Sequence, residues 1–276
     1  MTTPDTAPRT PSSTGLADRL ARWLLPAAVM IAAIVLWDRI VVWNAIPPYI
    51  LPGPMLVAKT LIADWPVLSV ALGNTLIITV LALIVAIIGG VGLAILFSHS
   101  KWVEYSFFPF AVVLQVTPIV AVFPLINIYV DDATTKLLLC AWIVAFFPIL
   151  SNTTLGLNSA DYNLRDLFEL YGASRWQTLL LLRLPAAMPY FFGGLRIAGG
   201  LALIGAVVAE FVAGASGFGS GLAFRIIESG YRLNIPRLFA AVILVSVTGI
   251  IIYLLLNAVS HYVLRRWHES AADRQR

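Results

Sequence analysis

The sequence predicts an all-α fold: a polytopic membrane helical bundle of six transmembrane spans. Three observations carry this. Of 276 residues, 60% are hydrophobic and only 12% are charged, where soluble domains carry about 25% charged residues. Mean hydropathy is +0.90. The apolar residues fall into six runs, each near the ~20 residues that cross a hydrocarbon core. A soluble globular domain of this composition would expose far more apolar surface than water tolerates.

The runs, in order, are 24–43, 70–97, 107–130, 137–155, 191–213 and 238–262. Before them, residues 1–23 read as a partly disordered arm, rich in Pro, Thr and Ser, that ends in a short basic amphipathic stretch. This polar stretch is too long for a cleaved signal peptide, and no small-x-small site follows it. Residues 44–56 are stiffened by four prolines, and 57–65 reads as a short helix on the membrane surface. The third and fourth runs contain Pro109, Pro118, Pro124 and Pro148, which a bundle tolerates because neighbouring spans answer the freed backbone groups. The single cysteine, Cys140, excludes an intrachain disulfide framework.

Charge sets the expected orientation. With the N-terminus inside, eleven of the 18 Lys and Arg residues fall on inside segments and five outside, with Arg39 and Arg196 within spans. The positive-inside rule then puts both termini in the cytoplasm, with 265–276 as a cytoplasmic tail and 156–190 as the largest inside loop. The same basic excess reads as topology, not as a nucleic-acid surface.

Spans two and five carry small residues every fourth position: Ala82, Ala86, Gly90 and Ala94, then Gly194, Ala198, Ala202 and Ala206. Such stripes let helices approach closely, so both spans are expected at the centre of the bundle. The inside loop reads as two short helices. Asn163 with Asp166 fits a capping box, Leu164, Leu167, Phe168 and Tyr171 share one face, and Gly172 supplies a left-handed exit. Ser174 with Gln177 fits a second capping box, on a helix that runs to about Leu184 and stops at Pro185. A helical hairpin resting on lipid fits these residues as well as a docking element does.

Several motifs together resemble one family. G-A-S-R-W at 172–176, R-L-P-A-A-M-P-Y at 183–190, G-L-R-I-A at 194–198 and V-V-A-E at 207–210 are similar to the permease subunits of bacterial ABC importers. P-G-P at 52–54 and F-F-P-I-L-S-N-T at 146–153 resemble the nitrate/sulfonate/taurine subgroup. The resemblance implies a type I ABC importer permease fold, a bacterial inner-membrane location and a coupling helix within 156–190. It implies an ATPase-coupling role for Asp166, Leu167, Phe168, Glu169, Gly172, Ala173, Leu184 and Pro185. Where the family reads Glu-Ala-Ala, this chain has Asp166, Leu167 and Phe168, so a reshaped partner groove is expected. The implied partners are two ATPase subunits, a second permease copy and an extracytoplasmic binding protein.

The chain has no phosphate-binding loop. G-A-S-G-F-G-S-G at 214–221 lacks the lysine of G-x-x-x-x-G-K-[ST]. ATP and Mg are therefore expected on a partner, with no cofactor or metal on this chain and no catalytic residue in it. Candidate pathway residues are Asn74, Gln115, Thr117, Pro118 and Glu210, polar or helix-breaking positions within spans. Glu210 reads either as a site or as a structural hydrogen bond, and Arg196 is expected to reach the inner headgroups. Two rival readings are an intramembrane protease using Ser216 and His261, and a proton-coupled transporter using Glu210. The first fails on distance, since Ser216 and His261 are expected on opposite sides of a hydrocarbon core about 30 Å thick. The second leaves the inside loop without a role.

Overall fold

The computed structural model describes residues 16–214 and 220–265, so the predicted N-terminal arm through residue 15, most of the tail and Ser216 lie outside the described residues. The described chain is helical throughout. The elements are α1 (Leu16–Trp43), α2 (Pro54–Ala63), α3 (Trp65–His99), α4 (Lys101–Val116), α5 (Ile119–Tyr129) and α6 (Ala133–Asn158). They continue as α7 (Tyr162–Leu170), α8 (Arg175–Thr178), α9 (Leu184–Ala213), α10 (Leu222–Tyr231) and α11 (Ile235–Leu264). Among the described residues, five helices are long and apolar enough to cross a membrane, six if α4 and α5 make one broken span.

Helices α3, α6 and α9 form the packed centre. The predicted stripes are where they touch: Ala82, Ala86, Ala94, Ala198, Ala202 and Ala206 are fully buried. A Cβ on Gly205 would come within 2.8 Å of the Ala141 backbone, so the helices meet there almost main chain to main chain. In lipid this close contact, and not escape from water, holds helices together. Sequence reading named the second and fifth runs as central and passed over the fourth. Yet α6 contributes the fully buried Cys140, Ala141, Ala145, Ile149 and Leu150. Its proline, Pro148, and its polar residues masked an interior helix.

The periphery is looser. None of the apolar stretch of α1 is buried in the bundle, and Trp37 meets Phe239 of α11 at 5.8 Å between rings. Asp64, between α2 and α3, accepts a 2.6 Å hydrogen bond from Arg237 Nε of α11.

One detail sharpens the sequence reading and two correct it. The break read at Pro118 is abrupt: α4 and α5 meet at 104° around Thr117 and Pro118. Both residues have extended backbone, and Pro118 has no N–H to continue α4. The helix at 162 is capped by Asp161, which accepts from the Asn163 N–H at 2.7 Å, and not by Asn163. Nor does the second elbow helix stop at Pro185. A π-turn at Leu179–Arg183, with Leu184 N–H donating to Leu179 O, widens the helix just before the proline, so α8 runs on into α9. The wide turn relieves the clash that a proline ring makes with the preceding turn of a regular helix.

Candidate functional site

Two polar constructions stand at opposite ends of the bundle. At the α7 end, Gly172 has φ +68°, with open space around it. The Ala173 N–H donates to Phe168 O and the Gly172 N–H to Glu169 O, both at 2.9 Å. This is the paired pattern that closes a helix through a left-handed glycine. Ser174 then opens α8 with both halves of its capping box: Ser174 N–H donates to Gln177 Oε1 at 2.7 Å, and Gln177 N–H to Ser174 Oγ at 3.2 Å.

The elbow is tied to the bundle by two arginines. Arg165 donates to Asn158 O at 3.0 Å, at the end of α6. Arg183 donates to Ser98 O at 3.0 Å, at the end of α3. Both guanidiniums meet carbonyls that a helix terminus leaves without partners, where positive charge is favoured. The His99 and Trp176 rings lie 4.9 Å apart. Held this way, α7 itself buries nothing: Leu164 and Leu167 are nearly half exposed, and Leu170 and Tyr171 are over 80% exposed. Asp166 and Glu169 are exposed, while Phe168, Ala173, Leu184 and Pro185 are intermediate. The structure thus gathers the predicted coupling residues at one end of the molecule.

At the other end Glu210 is buried at 4% exposure. Its Oε1 accepts from Thr75 Oγ of α3 at 2.8 Å, and its Oε2 accepts from the Ala223 N–H at 3.0 Å. The Leu222 N–H donates to Thr75 Oγ at 3.0 Å. Leu222 and Ala223 open α10, whose preceding residue, Gly221, has no side chain to cap with. The carboxyl group of α9 therefore caps α10 from across the fold, where an acceptor and negative charge are favoured. A Cβ on Gly221 would overlap this carboxyl group.

The remaining candidates do not gather into one site. Gln115 is exposed, Thr117 Oγ donates to Val113 O at 2.6 Å beside the bend, and Asn74 is half-buried next to Thr75. Arg196 is corrected: it donates to Asn257 Oδ1 of α11 at 3.0 Å and to Phe192 O at 3.3 Å, a tie between spans and not a reach to headgroups. The Arg237–Asp64, Arg183–Ser98 and Arg196–Asn257 pairs were missed in the sequence. Each joins residues too distant in the chain for any local pattern.

An all-helical membrane bundle with a rigid, exposed two-helix elbow between spans is the architecture of a transport permease. Comparison with known proteins makes this particular. Residues 82–267 match the family model of the binding-protein-dependent transport system inner membrane component, and the chain belongs to that family. The riboflavin transport system permease protein RibX of Chloroflexus aurantiacus is 34% identical over 254 residues, covering 89% of this chain and 90% of that protein. The putative aliphatic sulfonates transport permease protein SsuC of Bacillus subtilis is 30% identical over 231 residues, 82% of this chain and 80% of that one. Nitrate and taurine permeases are also relatives, so the subgroup is the one that the motifs resembled. In fold, the chain resembles the MetNI methionine ABC transporter in an inward-facing conformation, with TM-score 0.63 and 14% identity over 73% of this chain and 98% of the other. The chain is an ABC importer permease subunit of the membrane, not an enzyme, and these relatives give no support to a proton-coupled transporter.

Proposed function

We propose that this chain forms half of the pathway for a small solute, paired with a second permease copy and driven by two separate ATPase subunits that hold ATP and Mg. A binding protein outside the membrane delivers the solute. One observation carries the reading. Helix α7 presents Leu164, Leu167, Leu170 and Tyr171 to solvent, yet it is fixed by a glycine exit, a capping box and two arginine ties. A rigid lever with an uncovered apolar face fits a helix-in-groove contact with a partner. Asp166, Leu167, Phe168 and Glu169 enter the ATPase groove, Gly172 and Ala173 set the angle, and Leu184 with Pro185 passes the movement into α9.

In this reading α7 and both termini face the cytoplasm of a bacterial inner membrane, α2 and α10 face outward, and the spans near the predicted bounds make one permease domain. The 104° bend at Thr117 and Pro118 puts a broken stretch beside Gln115, the kind of backbone that lines a transport pathway. Glu210 is structural, and Asn74 stands next in the chain to its partner Thr75. The binding protein selects the solute; riboflavin, sulfonate, nitrate and taurine in the relatives' names mark the range of small polar cargo.

The sole cysteine is fully buried, which permits clean labelling. In intact cells Tyr231→Cys should react with an impermeant maleimide and Trp176→Cys should not. The reverse pattern overturns the orientation. A purified complex with one permease per two ATPases overturns the assembly.

A further inference from the structure

Behind α7 lies a cavity of about 540 Å³, walled by the end of α3, by the π-turn at Leu179–Arg183 and by both helices of the elbow. Three arginines line it, Arg165, Arg175 and Arg183, together with His99. Asp166 and Glu169 line it too, but among the described residues no ion pair joins either carboxylate to these arginines. Arg165 and Arg183 lie near enough for their like charges to oppose one another.

The backbone ties of Arg165 and Arg183 account for one edge of each guanidinium. They leave the Nε of each removed from solvent with no hydrogen-bond partner. His99 is in the same position: its Nδ1 lies 3.1 Å from Ile95 O, which fixes that nitrogen as a donor, while Nε2 is buried and unanswered. Buried polar nitrogens without partners are rare and costly. Two of them, the Nε groups of Arg165 and Arg183, are donors; with the third guanidinium of Arg175 at the wall they make a donor array that lacks its acceptor, while His99 Nε2, in the tautomer whose Nδ1 donates, is itself an acceptor.

We propose that this cavity binds a phosphate-type oxyanion, either the phosphodiester of an anionic lipid headgroup or a free phosphate. Tetrahedral oxyanions offer several acceptor oxygens to converging guanidiniums, which favour such groups for their fork of donors. The position suits a headgroup. The cavity lies where α3 ends, and Trp102, Tyr105 and Trp176 around that end are each more than 60% exposed, as aromatic residues are at a membrane–water boundary. A bound oxyanion bridges α7 to the end of α3 and to the π-turn that leads into α9, so the site sits inside the lever that the elbow forms.

The test uses the full chain purified in uncharged detergent. One arm titrates inorganic phosphate against sodium chloride at equal ionic strength and follows the thermal unfolding midpoint. The other exchanges the protein into nanodiscs of phosphatidylcholine with or without phosphatidylglycerol, then counts retained lipid by native mass spectrometry. Retained phosphatidylglycerol with no phosphate effect assigns the site to lipid; a saturable phosphate shift assigns it to the free ion. In either case Arg175→Gln, whose side chain makes no described hydrogen bond, should weaken binding about tenfold or more, the usual worth of a charge-assisted bond. Arg183→Lys keeps the charge without the planar fork and should weaken it less. No response in either arm, or equal binding by wild type and Arg175→Gln, overturns the proposal. Neither result bears on whether α7 docks an ATPase, which the copurified complex decides.

Discussion

The two ends of this bundle use polar groups in opposite ways. At the α10 end, Glu210, Thr75 and the opening N–H groups of α10 answer one another within one chain, sealed from solvent. At the α7 end the backbone is equally well made, but an apolar face is left uncovered. The difference separates a junction that one chain completes from half of an interface. Damage at the first should therefore be visible in the isolated chain. Damage at the second should be silent until a partner is present.

The largest effect is expected at Gly221. Gly221→Val forces a side chain into the space of the Glu210 carboxyl group, and both overpacking and a displaced buried acceptor should cost at least about 3 kcal/mol. Thermal unfolding of the detergent-purified chain measures it; a midpoint within a degree of wild type would break the comparison at once. Glu210→Ala comes next. It strands the Ala223 N–H, at about 1–3 kcal/mol for the unanswered group, while the Thr75 hydroxyl keeps the Ala71 carbonyl as its acceptor. Glu210→Gln keeps an acceptor and should lose less than half as much. Equal losses in the two would mean that charge, not acceptance, holds α10.

Gly172→Val sharpens the other side. A β-branched residue at φ +68° costs about 1–2 kcal/mol, although the surrounding space is open. Insertion and yield should be near normal while solute-stimulated ATPase activity in the reconstituted complex is lost. Unchanged stimulation would remove the lever. Leu167→Ala, at an exposed site, should move the chain's own stability by no more than about 0.5 kcal/mol. It should still weaken ATPase copurification, read by size-exclusion chromatography of the mixed subunits.

The smallest effect concerns pH at α10. Hydrogen bonding to Arg225, then the charges of Arg225, Arg232 and Arg237, hold the Glu228 carboxyl below its ordinary value of 4.5. A depressed carboxyl contributes stability that is present above that ordinary value and is lost as pH falls through the lower, folded one. Hydrogen-exchange protection across residues 222–231, taken relative to the intrinsic rate at each pH, should therefore fall only on acidification below about pH 4.5. Salt should weaken the effect because the pair is near the surface. Loss of protection already at pH 6 would point to another group.

What was legible in the sequence follows from what is local. The spans were legible because burial in lipid demands long apolar runs. Gly172 and the Ser174–Gln177 box were legible because caps act over three or four residues. The small-residue stripes of α3 and α9 named their own contact faces. Pro118 marked a break, but its 104° size depends on how α5 packs against its neighbours. The continuation of α8 into α9 was hidden because a π-turn at Leu179–Arg183 leaves no composition signal. Arg196 was misread because its partner, Asn257, lies 61 residues further on.

The tie between Asp64 and Arg237 has a bearing on how the protein is made. The two residues are separated by 173 positions. A ribosome adding about 5–20 residues each second needs roughly ten to thirty-five seconds to bring the second into existence after the first. Through that interval Asp64 is without the arginine partner it has in the finished fold. It gains its counter-charge only once the last helix begins to emerge. A nascent chain cut short before α11 never closes this tie, so the anchoring of the α2–α3 junction is a property of the full-length product alone.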